Sequence, residues 1–287
     1  MKILLRRIKE LLKLIEVGLL SISENLFLIH ISSTGEGKTK GMAKGLALCH
    51  QKDVFAGECS GFGLPVMKTD NLTIFPSLFS SKLLKPGTFE VVYHLNLIDT
   101  WRISGVAAPL YFRVFMEKIV AFYMKRPEIQ QSGLKIRNAL FTLFKIRNTM
   151  KPGKSFGYCR VLYQAVAHRL KISINWQPLV HQGELILLNE VPGIAFYRMK
   201  SGTDIRDNAD FLPWQPCTIE TAIENPALNI GFYLSFPGDH RSQYFQIAAG
   251  KEVCRDLNWA GLSITTTQAT FTYHVNFYQG LLETFHR

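Results

Sequence analysis

The sequence predicts an α+β protein, mainly antiparallel β in a barrel or two-sheet sandwich, with an N-terminal amphipathic helix and a central helical pair. Three observations predict it. Short runs alternate apolar and polar residues, most clearly Phe271, Tyr273, Val275 and Phe277 against Thr272, His274 and Asn276. Two stretches, Lys2 to Leu20 and Val106 to Thr149, carry helical spacing instead. Strands come before and after the central helices, without the βαβα alternation of a parallel sheet.

Taken in order, Lys2, Arg6, Lys9, Lys13 and Glu16 line one face of the first helix, and Leu5, Ile8, Leu12, Ile15 and Leu19 the other. Charges continue through Glu16, so neither a secretory signal nor a spanning helix is expected in this segment. A basic face opposite Leu and Ile suits packing on its own domain or lying on anionic lipid. Residues 26–98 read as strands, with Val91, Tyr93, Leu95 and Leu97 on one side and the turn Lys85-Pro86-Gly87 before them. Leu64-Pro65 and Phe75-Pro76 imply edges or loops. Two helices follow, about 106–124 and 130–149, ended by Pro127 and by Pro152-Gly153. The strand period then returns at Leu170, Ile172, Ile174 and Trp176, at 184–199 with a break at Pro192-Gly193, and at Ile230, Phe232, Leu234 and Phe236. Residues 201–229 read as an acidic loop, and Gly250 to Gly261 as a charged connection between strands. The division expected is a helix over 1–24 and one β-rich domain over 25–287, with a helical insertion at 105–151.

Composition bounds the rest. The 287 residues are 47% hydrophobic and 19% charged, a globular balance that excludes disorder. Twenty Phe point to an aromatic-rich core or cavity. Five cysteines without a CxxC pair speak against a disulfide framework and a structural zinc, and a reducing cytoplasm is the expected compartment. The net charge is +11, concentrated over 105–154, where ten basic residues meet two acidic ones. Such a field favours anionic lipid or an acidic partner. Nucleic acid is not expected, because the basic residues sit on segments too apolar for an open groove. No cofactor and no metal are expected.

Four places carry candidate chemistry. Ser32 to Thr39 ends in Gly35, Gly37, Lys38 and Thr39 after the apolar run Leu26 to Ile31. A phosphate loop needs backbone N–H groups wrapping a phosphate, with a lysine meeting the outer oxygens. The Ser-Ser-Thr run before Gly-Glu-Gly-Lys resembles the phosphate loop of bacterial tyrosine autokinases over about a dozen residues, which implies nucleotide binding there. Ser32 stands where that loop has its first glycine, and no acidic metal-binding strand follows. A hairpin loop is the preferred reading. Gly57-Glu58-Cys59-Ser60-Gly61 fits a nucleophile elbow, with His240 or His274 as base, but lacks the alternating helices of that fold. His94, His168, Glu190 and His274 are ionisable groups on otherwise apolar strands, with Glu190, His94 and His168 the candidate acids or bases. Trp176, Tyr93 and Trp259 are the candidate ligand-binding aromatics, and the 250–261 segment a candidate cover for a cavity mouth.

The expected function is binding of an apolar or lipid-like small molecule near the inner membrane surface, with cofactor-free isomerase, cyclase or hydratase chemistry as its extension. Two rivals stand beside it: a nucleotide-binding enzyme using 32–39, and a non-enzymatic interaction protein using the basic helical pair. The expected location is cytoplasmic, peripheral at the membrane.

Overall fold

The computed structural model describes residues 18–22, 26–30, 45–50, 53–55, 61–69, 72–104, 147–166, 169–179, 183–193, 195–207, 214–237, 245–254 and 257–279. The chain divides into two compact units, one of Met1–Leu97 with Lys154–Arg287 and one of Ile98–Gly153. In the second, the described residues are the prolongations of two strands.

Nineteen strands are found among the described residues. In chain order they are β1 (Gly18–Ser21), β2 (Leu26–His30), β3 (Leu46–His50), β4 (Asp53–Phe55), β5 (Gly61–Lys68), β6 (Thr73–Ile74), β7 (Pro76–Lys85), β8 (Thr88–Ser104), β9 (Arg147–Val166) and β10 (Arg169–Pro178). They continue as β11 (Glu184–Pro192), β12 (Arg198–Ser201), β13 (Asp204–Arg206), β14 (Gln215–Pro216), β15 (Thr221–Asn225), β16 (Ile230–Ser235), β17 (Phe245–Cys254), β18 (Leu257–Thr266) and β19 (Thr270–Gln279). One sheet runs β1-β2-β3-β5-β11-β18-β17-β14, with β4 on β3 and β6 on β5. The other runs β13-β12-β15-β16-β19-β10-β9-β8-β7. Neighbours such as β10 and β19, or β11 and β18, pair antiparallel.

The two sheets face each other across one core. Strand alternation builds it: β10 turns Leu170, Ile172, Ile174 and Trp176 inward, and β19 turns Tyr273, Val275 and Phe277 inward. From the first sheet come Phe62, Leu64, Leu185, Leu187, Leu262 and Ile264. Phe62 meets Phe232 and Phe277 edge-on, with ring centroids 5.0 and 5.3 Å apart. Each such side chain contributes about 1.5–3 kcal/mol by leaving water.

Several expectations are corrected. The class is all-β among the described residues, which hold no helix, and the two sheets stay open instead of closing as a barrel. A barrel needs the sheet's outer strands to pair, and here each sheet ends on its own edges, β1 and β14 or β13 and β7. The end of the expected N-terminal helix, Gly18–Leu20, is strand, and so is the end of the second central helix, Arg147–Thr149. Leu19 and Leu20 pair with Ile29 and Leu28, and this ladder supplies the backbone bonds a helix would have made. The other residues of those helices lie outside the described residues.

The supposed loop at 201–229 contains β13, β14 and β15, and β15 is largely buried. The supposed connection at Gly250–Gly261 is the β17–β18 hairpin, in which Gly250 pairs with Gly261 and Glu252 with Trp259. The two prolines are placed as strand chemistry demands. Pro76 opens β7, where the chain passes from one sheet to the other. Pro65 sits where the second neighbour of β5 changes, from β3 at Phe62 to β6 at Met67.

Candidate functional site

The described face of the second sheet that points away from the core holds a cleft of about 570 Å³. It arises from alternation. On β9, β10 and β19 the inward residues are Tyr163, Leu170 and Ile172, and Tyr273. Their outward neighbours are Gln164, Arg169 with Lys171, and His274, and all four line the cleft. Register sets them side by side: Gln164 opposes Lys171, Lys171 opposes His274, and His274 opposes Ser235 of β16. The β7–β8 turn closes one end with Lys85, Pro86, Gly87 and Thr88. Gly87 takes φ +75°, a conformation the turn needs and glycine supplies, and its carbonyl accepts a 2.9 Å hydrogen bond from the Ala165 N–H. The turn is thereby tied to the end of β9.

The lining carries three fixed cations, Lys85, Arg169 and Lys171, and no carboxylate among the described residues. His274 is held below the ordinary histidine value, first by partial burial and then by the positive charges of Arg169 and Lys171. It is therefore a neutral imidazole near pH 7, able to donate one hydrogen bond and accept another. On the adjoining β8, Glu90 is engaged by Arg160 at 3.7 Å. Together the arrangement offers concentrated positive charge and neutral donors to an anion.

A second polar constellation lies inside. Tyr163 Oη reaches the carbonyls of Phe62 and Gly63 at 3.2 and 3.1 Å and lies 3.0 Å from Tyr93 Oη. Since Tyr163 has one proton to give to the carbonyls, Tyr93 donates to Tyr163. Asn189 Oδ1 accepts from the Gly63 N–H at 3.1 Å and from the Tyr273 hydroxyl at 3.0 Å, and its Nδ2 donates to the Leu262 carbonyl at 3.4 Å. All three tyrosines are fully buried, and burial raises each phenol above its ordinary value. They stay protonated and act as donors. This network joins β8, β9 and β19 of one sheet to β5, β11 and β18 of the other.

The residues expected from sequence are dispersed. Tyr93 belongs to the internal network. Trp176 is buried at the end of β10, and its Nε1 is the buried side-chain nitrogen without a hydrogen-bond partner among the described residues. Trp259 is buried on β18, opposite Pro192 and Glu252. Glu190 is buried on β11 between two glycines, Gly61 and Gly261. His94 is exposed on β8, pairing with Leu78. His274 alone of these reaches the cleft. His168, Gly35, Gly37, Lys38, Thr39, Gly57, Cys59 and His240 lie outside the described residues. The strands before and after the 32–39 segment, β2 and β3, pair antiparallel from Leu26–His50 to His30–Leu46.

Sequence reasoning missed Lys85, Gln164, Arg169 and Lys171 as a group. A signal existed for part of it: Arg169 and Lys171 alternate with Leu170 and Ile172, so both face outward on one strand. Among the described residues no group of three or more His, Cys, Asp or Glu is placed to hold a metal ion. No helix among them is long and apolar enough to cross a membrane.

No protein-family model matches the sequence, and no curated protein does. Solved structures that align with it include three proteins. One is the alpha-N-acetylgalactosaminidase NagBb of Bifidobacterium bifidum in complex with GalNAc, at 6% identity and TM-score 0.44, over 91% of this chain and 36% of that one. Another is a glycosyl hydrolase family 38 protein of Enterococcus faecalis, at 11% identity and TM-score 0.38, over 92% and 31%. The third is the Slr1438 protein of Synechocystis sp. PCC 6803, at 9% identity and TM-score 0.38, over 91% and 94%. This chain thus spans about a third of the length of the first two. At scores this low nothing carries over from them to this protein.

Proposed function

We propose that this protein binds a small anionic molecule, bearing a phosphate or carboxylate group, in the cleft formed by β9, β10, β19 and the β7–β8 turn. The observation that carries the reading is the lining itself. Lys85, Arg169 and Lys171 converge there with neutral Gln164, Thr88 and His274, and no described carboxylate opposes them. Arg169 provides a planar fork that matches two oxygens of a phosphate or carboxylate, and the lysines provide point charges. His274 adds a neutral hydrogen-bonding partner whose charge an anion would restore.

Calorimetric titration with inorganic phosphate and with citrate tests this, with glucose as the neutral control. Saturable binding of at least one anion is expected, weakening with added salt. The variant Arg169→Ala is expected to lower affinity about tenfold, the loss of one charge-assisted contact. Equal binding of glucose, or anion binding unchanged in Arg169→Ala, would overturn the reading.

A further inference from the structure

The outward residues of the second sheet continue in register past the cleft. On β10 the cleft holds Arg169 and Lys171. Asn276 of β19 stands opposite Arg169, and His274 opposite Lys171. On the next strand, β16, Tyr233 opposes Asn276 and Ser235 opposes His274. Directly opposed residues share a face, so Arg169, Asn276 and Tyr233 form one outward row. Neighbouring strands lie about 4.8 Å apart, which sets the backbone of Tyr233 about 10 Å from that of Arg169. The amide of Asn276 is oriented by its Nδ2, which donates to Ser235 Oγ at 2.8 Å.

The row leads onto an aromatic floor. Gly231, two residues before Tyr233 on β16, pairs with Tyr278 of β19. Tyr278 lies over Gly231, its hydroxyl end filling the space a Gly231 side chain would need. That hydroxyl donates to Glu224 Oε1 of β15 at 2.9 Å, which fixes the ring across the strand. The Tyr278 and Tyr233 ring centroids are 6.3 Å apart, with the planes tilted by 37°. Tyr233, Asn276, Tyr278 and Glu224 are all half-buried and keep some surface open. From the cleft outward, this face runs from cations through an oriented amide to two rings and a carboxylate.

We propose that the anion held in the cleft is the phosphate of a monoester whose hydroxylated ring lies along this row, a phosphorylated sugar or a nucleoside monophosphate. The proposal rests on the anion reading of the cleft and adds the rest of the ligand. Arg169 and Lys171 take the phosphate. Tyr233 offers a ring face to stack on, at the reach of a phosphate ester. Asn276 lies between them, where its amide meets a ring hydroxyl. Glu224 accepts one tyrosine hydroxyl and has capacity for others. Charge favours a ligand with one anionic end over a polyanion. Beyond Arg169 the row passes through Asn276, Tyr233 and Ala222 before the next cation, Lys200 of β12. Glu224 repels a second negative group there, and its cross-strand neighbour Arg198 is engaged by Asp207 at 2.8 Å. Tyr233 and Asn276 do not line the cleft itself, and this separates the two claims.

The test is calorimetric titration of the whole chain with inorganic phosphate, glucose 6-phosphate and AMP. At least one ester is expected to bind about tenfold more tightly than inorganic phosphate, the gain of a ring contact with an aromatic side chain. Tyr233→Ala is expected to remove that gain and leave the affinity for inorganic phosphate unchanged. Saturation-transfer NMR on the unaltered protein supplies a readout that needs no variant to fold. Ring protons of the bound ester are expected to receive saturation applied to the protein's aromatic protons. A preference for AMP would assign the ring to a base, and a preference for glucose 6-phosphate to a sugar; either supports the proposal. Esters that bind no more tightly than inorganic phosphate, a gain untouched by Tyr233→Ala, or no saturation transfer would overturn it and leave the cleft reading standing. Absence of binding by all three probes would overturn both.

Discussion

The inner and outer faces of the same three strands differ in almost every chemical respect. Inward, β9, β10 and β19 present Tyr163, Leu170, Ile172 and Tyr273, whose polar atoms are bonded across to the other sheet. Outward, one residue along, they present Gln164, Arg169, Lys171 and His274 around an open cleft. The inner hydroxyls of Tyr163 and Tyr273 have partners across the core, and burial keeps the phenols neutral. The charged groups of the outer face, Arg169 and Lys171 with Lys85 of the turn, are of like sign and meet no carboxylate in the lining. A polar cluster that satisfies itself holds a fold together, whereas like charges facing a cavity raise the local concentration of anions.

The most damaging change to the inner face is expected at Gly63. Its φ of +71° disfavours any side chain, and a Cβ there would lie 2.8 Å from Tyr163 Cε1 and 2.9 Å from its hydroxyl. Gly63→Ala should cost about 2–5 kcal/mol, summing backbone strain and overpacking, measured by chemical denaturation. Asn189→Leu comes next, because it leaves the Gly63 N–H and the Tyr273 hydroxyl without their shared acceptor. About 3 kcal/mol is the expected loss. A stability change within about 0.5 kcal/mol in either variant would mean the inner network is incidental.

The outer face should show the opposite split. Replacing both Arg169 and Lys171 by Gln is expected to abolish most anion binding while moving stability by less than about 0.5 kcal/mol. Parallel titration and denaturation of that variant check it, and a large stability loss would make these cations structural.

The smallest expected effect concerns His274. As pH falls, the unfolded chain takes up the proton first, at the ordinary histidine value of 6.5, while the folded protein resists it. Its contribution to stability is therefore present above 6.5 and is lost as pH falls through the lowered folded value. In an NMR titration its midpoint should lie below 6.5, and it should move up when Arg169 and Lys171 become Gln or when phosphate binds. A midpoint indifferent to both changes would separate His274 from the cleft's electrostatics.

How much of this was legible in the sequence depends on the strand. The alternations in β10 and β19 identify both their inward and outward residues without help. In β3 and β5 no alternation can be read, because nearly every residue is buried on both faces. The β17–β18 hairpin was concealed by its glycines and charges. Gly261 is required there because a Cβ would collide with the Asn189 carbonyl, a cross-strand fact invisible along the chain. Tyr163 and Asn189 gave no local sign of their roles, since their partners are 100 residues away for Gly63 and 84 for Tyr273.

The sequence by itself determined the antiparallel β character, the aromatic core and the strong positive charge, because side-chain period and composition are local quantities. It determined which side chains of β10 and β19 share a face. Only the tertiary structure decided which strands became neighbours. That choice put Arg169, Lys171 and His274 beside the Lys85 turn. The physical reason is that register and sheet order are settled by packing between distant segments, and a period of two residues carries no record of which segments those will be.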